Sequence, residues 1–584
     1  MSLETQHTHK SIVWMLGFTR LNPTYACYLI PDLLSANPRN PPYPLSPIPY
    51  SLFPIPYSLP PNSMSNPSQP QVLIVGAGPT GLMLAIELTL LSLSVRIIDR
   101  STATKRQARA GVIWARSQEA LAELGVIDKF LNFANRLQST HIYINGRKIG
   151  GLEYGSTKTD YPNPLCIEQH DTERLLAESL SELGVEIEWE TEATGLHAHD
   201  DGAEVTVRTA QGEEETIATQ WVVACEGTRS AIREAAQIPF EGERVANLQT
   251  LQVNAKPTWR FPKSTTHGYF FLKENVSMLG FSMPGDSYRF CAFASDPTPD
   301  RKEPPTLAEM RDLVAAVTYM PELQLELTAP VWLSRARFQN RIAATFNKGR
   351  VLLVGDTAHA WAPIGGHGMN TGLRGAYNLG WKLAAVERGE AKSGLLDTYT
   401  IEQRANAHTI IKANDSNVME QPQTHSKLRL MGTFMPIGLS LKPVRRSIEF
   451  MLSDLGMEYR TSPLAWQQQG SGSLQAGDRI PNVPVVSGDG QWANLHRLLS
   501  IHHWTLLLRT KDSELIEQLY QVVGQFRSTI KVAAIEPMER DSDRQLGRNG
   551  QMFLVRPDGH VGLIAAVKDI DTLVKYLDTF LVRV

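Results

Sequence analysis

Residues 72–100 constrain this chain more than any other stretch. Val72, Leu73, Ile74 and Val75 form an apolar run of the length of a buried parallel strand. Gly76-Ala77-Gly78-Pro79-Thr80-Gly81 follows directly, and then Leu82, Ala85, Ile86 and Leu90 recur at helical spacing. A second apolar run at 95–98 ends in Asp99 and Arg100. Strand, glycine turn, helix, strand and terminal acid form the pattern of a dinucleotide-binding βαβ unit. Gly76 permits the tight turn, Gly78 opens the backbone to a pyrophosphate, and Gly81 lets the helix lie against the strand. The helix N-terminus, opened by Pro79 and Thr80, presents N–H groups to phosphates, and Asp99 is placed to accept hydrogen bonds from a ribose. An isolated glycine pattern could be a turn that binds nothing; the two flanking strands and the acid argue for a cofactor.

A chain of 584 residues is long for one core, so two to four domains are expected. Hydrophobic content of 42% and charged content of 20% are ordinary for a globular protein. The net charge of −3 gives no electrostatic reason to expect nucleic acid or an anionic membrane as partner, and neither is expected. Cys27, Cys166, Cys225 and Cys291 are scattered without any CxxC pair, so no metal site is legible and a reducing, cytoplasmic location fits. No apolar run approaches the length of a membrane span.

Residues 1–70 differ from the rest. Pro-Ile-Pro-Tyr-Ser-Leu occurs at 47–52 and again at 54–59, and prolines punctuate the stretch from Pro38 to Pro70. Such a segment favours extended polyproline conformation over helix or sheet and is expected to be a disordered extension. It is either a ligand for a proline-recognising module or a translated upstream region. Met64, just before the first strand, favours the second reading. Removing residues 1–63 is expected to leave folding unchanged.

Beyond Arg100, Arg109-Ala110-Gly111-Val112 and Arg116 offer cations that could neutralise phosphates or form a solvated basic surface. Ile167-Glu168-Gln169-His170 leads into a helix, and Ala203, Val205 and Val207 alternate as in a hairpin. Trp221-Val222-Val223-Ala224-Cys225 is a further buried strand running into Glu226-Gly227, an acid and a glycine at a strand end, where α/β sheets bind cofactors. Residues 241–345 alternate in strand fashion and are dense in aromatics, including Trp259, Phe261, Tyr269, Phe270, Phe271, Phe281, Tyr288, Phe290 and Phe293. They are expected to form an antiparallel sheet, either roofing a pocket for a flat apolar substrate or packing as an ordinary aromatic core.

A second cofactor segment spans residues 349–372. A strand at 351–354 ends in Gly355-Asp356-Thr357, and Pro363-Ile364-Gly365-Gly366-His367-Gly368-Met369-Asn370 opens a helix. A carboxylate at a strand end can take ribityl hydroxyls, and a glycine loop at a helix start presents N–H groups to an electron-rich ring edge.

With these motifs in order, the chain from Val72 to about Pro463 resembles the FAD-dependent aromatic-ring hydroxylases, single-component flavoprotein monooxygenases of the p-hydroxybenzoate, phenol and polyketide hydroxylase type. The resemblance implies that Asp99 holds the adenosine ribose, Arg109 the FAD phosphates and Asp356 the ribityl chain, with Gln169 near the ribityl chain or ring. It also implies that Pro363 lies beside the flavin and that Gly368, Met369 and Asn370 line the isoalloxazine. Glu226-Gly227 stands where the family normally has Asp-Gly, Gly375 replaces a common acid, and Thr357 a usual alanine.

The implied fold is α/β: a Rossmann-like FAD-binding domain (71–240 and 346–466, the latter with a helical region) interleaved with an antiparallel β-sheet substrate domain (241–345). A Gln/Gly/Ser-rich linker at 467–475 leads to a domain at 476–584 that resembles the thioredoxin-like appendage of phenol and polyketide hydroxylases, here without a cysteine. The implied activity is NADH- or NADPH-dependent hydroxylation of an aromatic or polyketide-like molecule by O₂ through a flavin hydroperoxide, in a possible homodimer. His359, His367 and Tyr269 are conceivable acids or bases, each more readily structural. The alternatives are an FAD-dependent oxidase or reductase, and a protein that sequesters flavin or ligand without turnover.

Overall fold

The computed structural model describes residues 69–102, 110–416, 420–468, 472–488 and 490–584. Nearly all of the proline-rich extension, together with Arg109, lies outside the described residues.

The apolar runs assemble into a six-stranded sheet in the order Asn347–Lys348, Val351–Leu353, Trp221–Ala224, Val72–Val75, Val95–Asp99 and Ile187–Trp189. All pairings are parallel except that of Asn347–Lys348, a two-residue edge. Strands buried on both faces are expected to be uniformly apolar, and Val72–Val75 and Trp221–Ala224 are buried throughout. The helices Pro79–Leu90 and His367–Glu387 pack together so closely that a Cβ on Gly380 would overlap the Glu87 carboxyl. Burial holds that carboxyl well above the usual carboxylate range. Because the strands run the same way, the turns after Val75, Ala224 and Leu353 open at one edge of the sheet.

A second sheet of eight strands takes more of the chain than the 241–345 segment expected for it. Ser139–Ile144 and Arg147–Glu153 extend it at one edge, with Ser139–Ile144 pairing in parallel with His267–Lys273. The pleat sorts its aromatics by parity. Tyr269, Phe271, Tyr288 and Phe290 turn to one face and pack under helix Leu307–Thr318 through Met310, Val314 and Val317. Phe270 and Leu272 turn to the other, against Leu428, Met435 and Leu439 of helix His425–Ser440. Most of the aromatic density is therefore ordinary core, while Phe270, Phe281 and Phe293 also line a cleft.

The C-terminal part contains a seven-stranded sheet centred on Trp504–Leu508, all of it buried, flanked by helices that include Ser513–Val523 and Ile570–Phe580. The expected linker begins inside this sheet, since Trp466–Gln467 pairs with Val561–Ala566. A buried ionic cluster joins this part to the helices beneath the first sheet. Arg556 donates to both oxygens of Glu402 at 2.6 and 3.0 Å, Lys382 donates to Glu402 at 2.7 Å, and Arg556 also meets Asp558. Arg116, readable from sequence as a phosphate-neutralising cation or as part of a solvated basic surface, is buried in this junction: it pairs with Glu119 at 3.0 Å and donates to the Asp558 carbonyl at 2.5 Å. Among the described residues no helix is long and apolar enough to cross a membrane, and no cluster of side chains could hold a metal ion.

Candidate active site

A cleft of about 1960 Å³ runs from the carboxyl edge of the parallel sheet to the face of the eight-stranded one. Gly76, Gly78, Pro79, Thr80, Asp99, Arg100, Gln169, Glu226, Asp356, Pro363, Gly366, Gly368 and Met369 all line it, although they come from five separate parts of the sequence.

At one end, Gly76 adopts φ +110°, and a Cβ there would stand 2.5 Å from the Cys225 carbonyl oxygen. A Cβ on Gly81 would overlap the Gly76 carbonyl, so Gly81 is buried at the contact of helix and turn and does not line the cleft. Nothing lies within 4 Å of where a Cβ on Gly78 would stand, so this turn is open to a ligand at the start of a helix. Asp99 accepts hydrogen bonds from the N–H groups of Ala77 at 2.8 Å and Ser101 at 2.7 Å, one on each oxygen. It fixes the glycine turn, and each oxygen keeps a lone pair for a further donor.

Thr80 links the two glycine segments. A Cβ on Gly355 would come within 2.8 Å of the Thr80 Oγ1, and one on Gly372 would overlap it. Both glycines therefore make room for one threonine, and Gly355 is buried behind the cleft. Asp356 sits in the 3-10 turn Gly355–Thr357 with its side chain exposed to the cleft. Thr357 binds the backbone of Gly227 in both directions, accepting from its N–H at 3.0 Å and donating to its carbonyl at 3.2 Å. The hydroxyl thus ties together two of the strand-end turns. Replacing Thr357 with alanine should cost about 1 kcal/mol per hydrogen bond lost; an unchanged thermal midpoint would contradict this.

Glu226 reaches a helix start. Its carboxylate takes hydrogen bonds from the Ser230 hydroxyl and from the N–H groups of Ala231 at 3.0 Å and Ile232 at 3.2 Å. Burial raises its pKa, opposed by these three donors. Gln169 accepts from the Ala110 N–H at 3.2 Å and donates to Glu173 at 2.9 Å, holding the segment after Arg109 against the cleft wall.

The second glycine loop forms the middle of the cleft. Gly365 and Gly366 both adopt left-handed φ, +73° and +69°, before helix His367–Glu387 starts. The Trp114 indole donates to the Gly365 carbonyl at 2.9 Å, and the Gly365 N–H donates to Glu420 at 2.7 Å. Nothing lies within 4 Å of where a Cβ on Gly368 would stand. Asn370, expected to face the ring, turns its side chain inward instead. It accepts from the Trp114 N–H at 2.9 Å and donates to the carbonyls of Val112 and Gly366, so it is a strut between loop and strand.

Sequence reasoning missed two groups. Glu420 lines the cleft, is buried, and has its pKa pushed up to about 7, mainly by that burial. A lone glutamate between helices gave no sign of this. Arg289 is also buried at the cleft wall, donating to Asn254 at 2.5 Å, while Asn254 donates to Glu168 at 2.6 Å. Strand parity could have found it, because its neighbours Tyr288 and Phe290 face the opposite way. The three conceivable acids or bases have other engagements. His359 is buried and stacked on Trp361 at 4.7 Å, and burial drives its pKa down to about 3. His367 pairs with Asp454 at 3.0 Å, and the Tyr269 hydroxyl donates to the Pro262 carbonyl at 3.2 Å.

At its far end the cleft is apolar. Phe270, Leu279 and Phe281 of the sheet face Ile448, Met451 and Leu452 of the helical region. Tyr154 and Thr140 add polar groups to the cleft lining, their hydroxyls 3.1 Å apart.

A family model described as an FAD binding domain matches residues 69–414, and one described as the C-terminal part of aromatic-ring hydroxylases matches residues 473–583. The chain is 29% identical to the pentachlorophenol 4-monooxygenase of Sphingobium chlorophenolicum, over 89% of this chain and 98% of that protein. It is 34% identical to the rifampicin monooxygenase of Streptomyces venezuelae, over 62% of this chain and 72% of that protein. Its structure is similar to that of an anhydrotetracycline hydroxylase from Streptomyces rimosus, with a TM-score of 0.69 and 27% identity, covering 88% of this chain and 99% of the other.

Proposed function

Because the chain belongs to the FAD-dependent aromatic-ring hydroxylases, we propose that it binds FAD along this cleft and, with NADH or NADPH and O₂, hydroxylates an aromatic or polyketide-like molecule. The observation that carries this reading is the convergence of three strand-end turns and two open glycine helix starts on a cleft that ends in an apolar pocket. The donor set fits the cofactor. The N–H groups at Gly78, Pro79 and Thr80 lack only that of proline and suit a pyrophosphate, with Arg100 as a cation lining the same cleft. Asp99 retains acceptor capacity for a ribose, Asp356 is exposed for the ribityl hydroxyls, and the loop from Pro363 to Met369 suits the ring edge. Asn370 contributes by holding that loop in shape.

FAD, when bound, supplies the redox chemistry with the nicotinamide and O₂. The chain supplies the rest. Phe270, Phe281, Ile448 and Met451 exclude water and hold a flat apolar substrate, and Tyr154 offers a hydroxyl to a polar substituent. Relatives named as a pentachlorophenol 4-monooxygenase and a 6-methylpretetramide 4-monooxygenase support this substrate class. The C-terminal sheet we read as a thioredoxin-like domain without thiol chemistry, since residues 473–583 contain no cysteine.

Asp356→Ala tests the cofactor assignment. A hydrogen bond to a charged acceptor contributes about 1.5–3 kcal/mol, so FAD affinity should fall roughly ten- to hundredfold. Titration of the apoprotein with FAD, followed by flavin fluorescence, measures it. Wild-type affinity would remove Asp356 from the site.

A further inference from the structure

Helix His425–Ser440 is apolar on two opposite sides. Leu428, Met435 and Leu439 face inward onto the eight-stranded sheet. At 100° per residue, Leu430, Phe434 and Ile437 fall on the outer side; they are 45%, 43% and 60% exposed, and Leu441, just past the helix end, is 40% exposed. An exposed apolar stripe opposite the buried face of a helix is suited to a covering partner.

The charge around the stripe says what kind. Residues 421–448 contain Lys427, Arg429, Lys442, Arg445 and Arg446 and no aspartate or glutamate, in a chain whose net charge is −3. Lys427, Arg429, Lys442 and Arg446 are exposed. A twofold pairing of this face with itself would set cations against cations. An anionic bilayer is complementary to both features, taking the apolar side chains into its interface and the cations among its headgroups. The next helix, Lys442–Leu452, carries Ile448, Met451 and Leu452 at the apolar end of the cleft. The same helical pair thus bears the outer stripe and walls the pocket proposed for an apolar substrate.

We propose that the face formed by Leu430, Phe434, Ile437 and Leu441, with the surrounding lysines and arginines, docks the protein on the surface of an anionic membrane. The stripe lies in the interface without spanning the bilayer, and apolar substrates dissolved in the lipid are held next to the helices that wall the pocket.

The test is sedimentation of the full-length, flavin-loaded protein with vesicles of phosphatidylcholine alone or mixed with phosphatidylglycerol, alongside light scattering without lipid. The expected result is binding to the mixed vesicles only, weakened by salt. Arg429→Gln with Lys442→Gln should weaken it about 25-fold, at about fivefold per charge. Phe434→Ser with Ile437→Ser should abolish it while flavin content and circular dichroism stay unchanged. No binding to mixed vesicles, or binding that neither pair of substitutions alters, would overturn the proposal. A concentration-dependent dimer that Phe434→Ser with Ile437→Ser dissolves, with no vesicle binding, would instead make this face an interface between two copies.

Discussion

Gly81→Ala is expected to yield protein that purifies without flavin. The added methyl would overlap the Gly76 carbonyl oxygen, a backbone atom at the turn closing strand Val72–Val75. Relief requires helix Pro79–Leu90 to move off the strand. The helix is blocked on its other side, where Gly380 of helix His367–Glu387 already lies against Glu87. Overpacking of this kind costs about 1–3 kcal/mol. The same shift displaces the N–H groups opened to the cleft at Gly78, so binding should suffer more than stability. We expect at least a hundredfold loss of FAD affinity, measured by fluorescence titration, with a drop of a few degrees in thermal midpoint. Full flavin occupancy would show that the turn is not the phosphate site.

Arg556→Ala should give the largest loss of stability. Arg556 is buried with Glu402, Lys382 and Asp558, two cations and two anions together. Desolvation opposes every charge in the cluster, yet Arg556 and Lys382 hold the Glu402 carboxyl down to about 2. Removing Arg556 leaves the surrounding acids partly uncompensated, which costs about 3–5 kcal/mol for a buried pair. Because Arg556 lies in the C-terminal part and Glu402 in helix Asp397–Ser416, the two regions should loosen from each other. Chemical denaturation should show a lower midpoint, and limited proteolysis should release the C-terminal segment earlier. The double substitution Glu402→Met with Arg556→Met removes both charges and should be milder than Arg556→Ala. An unchanged midpoint for Arg556→Ala would mean that the cluster contributes nothing to holding the regions together.

Much of this molecule could be seen in the sequence, for reasons that differ by region. The βαβ unit was legible because strand, turn and helix are contiguous and each glycine answers a local steric demand. The same holds for the turn at Asp356 and the loop at Gly365-Gly366. What stayed hidden depends on contacts between distant segments. Arg116 has the position of a phosphate ligand, but its partners are Glu119 and the Asp558 carbonyl, and Asp558 lies more than four hundred residues away. Asn370 sits in a cofactor motif, but Trp114, from a different segment, claims its amide. The second sheet exceeds residues 241–345 because strand Ser139–Ile144 alone gives no hint of where it pairs. Glu226 is legible as an acid at a strand end, and only the position of helix Ala231–Ala235 explains what its side chain reaches.

The account as a whole rests on oxygen transfer. The purified protein, loaded with FAD and supplied with NADH or NADPH under ¹⁸O₂, should be incubated with a panel of phenols and aromatic polyketides and the products analysed by mass spectrometry. The account predicts that at least one substrate accelerates nicotinamide oxidation and emerges with one labelled oxygen atom, the other atom appearing in water. Nicotinamide oxidation that yields only hydrogen peroxide across the panel, with no labelled product, would contradict it.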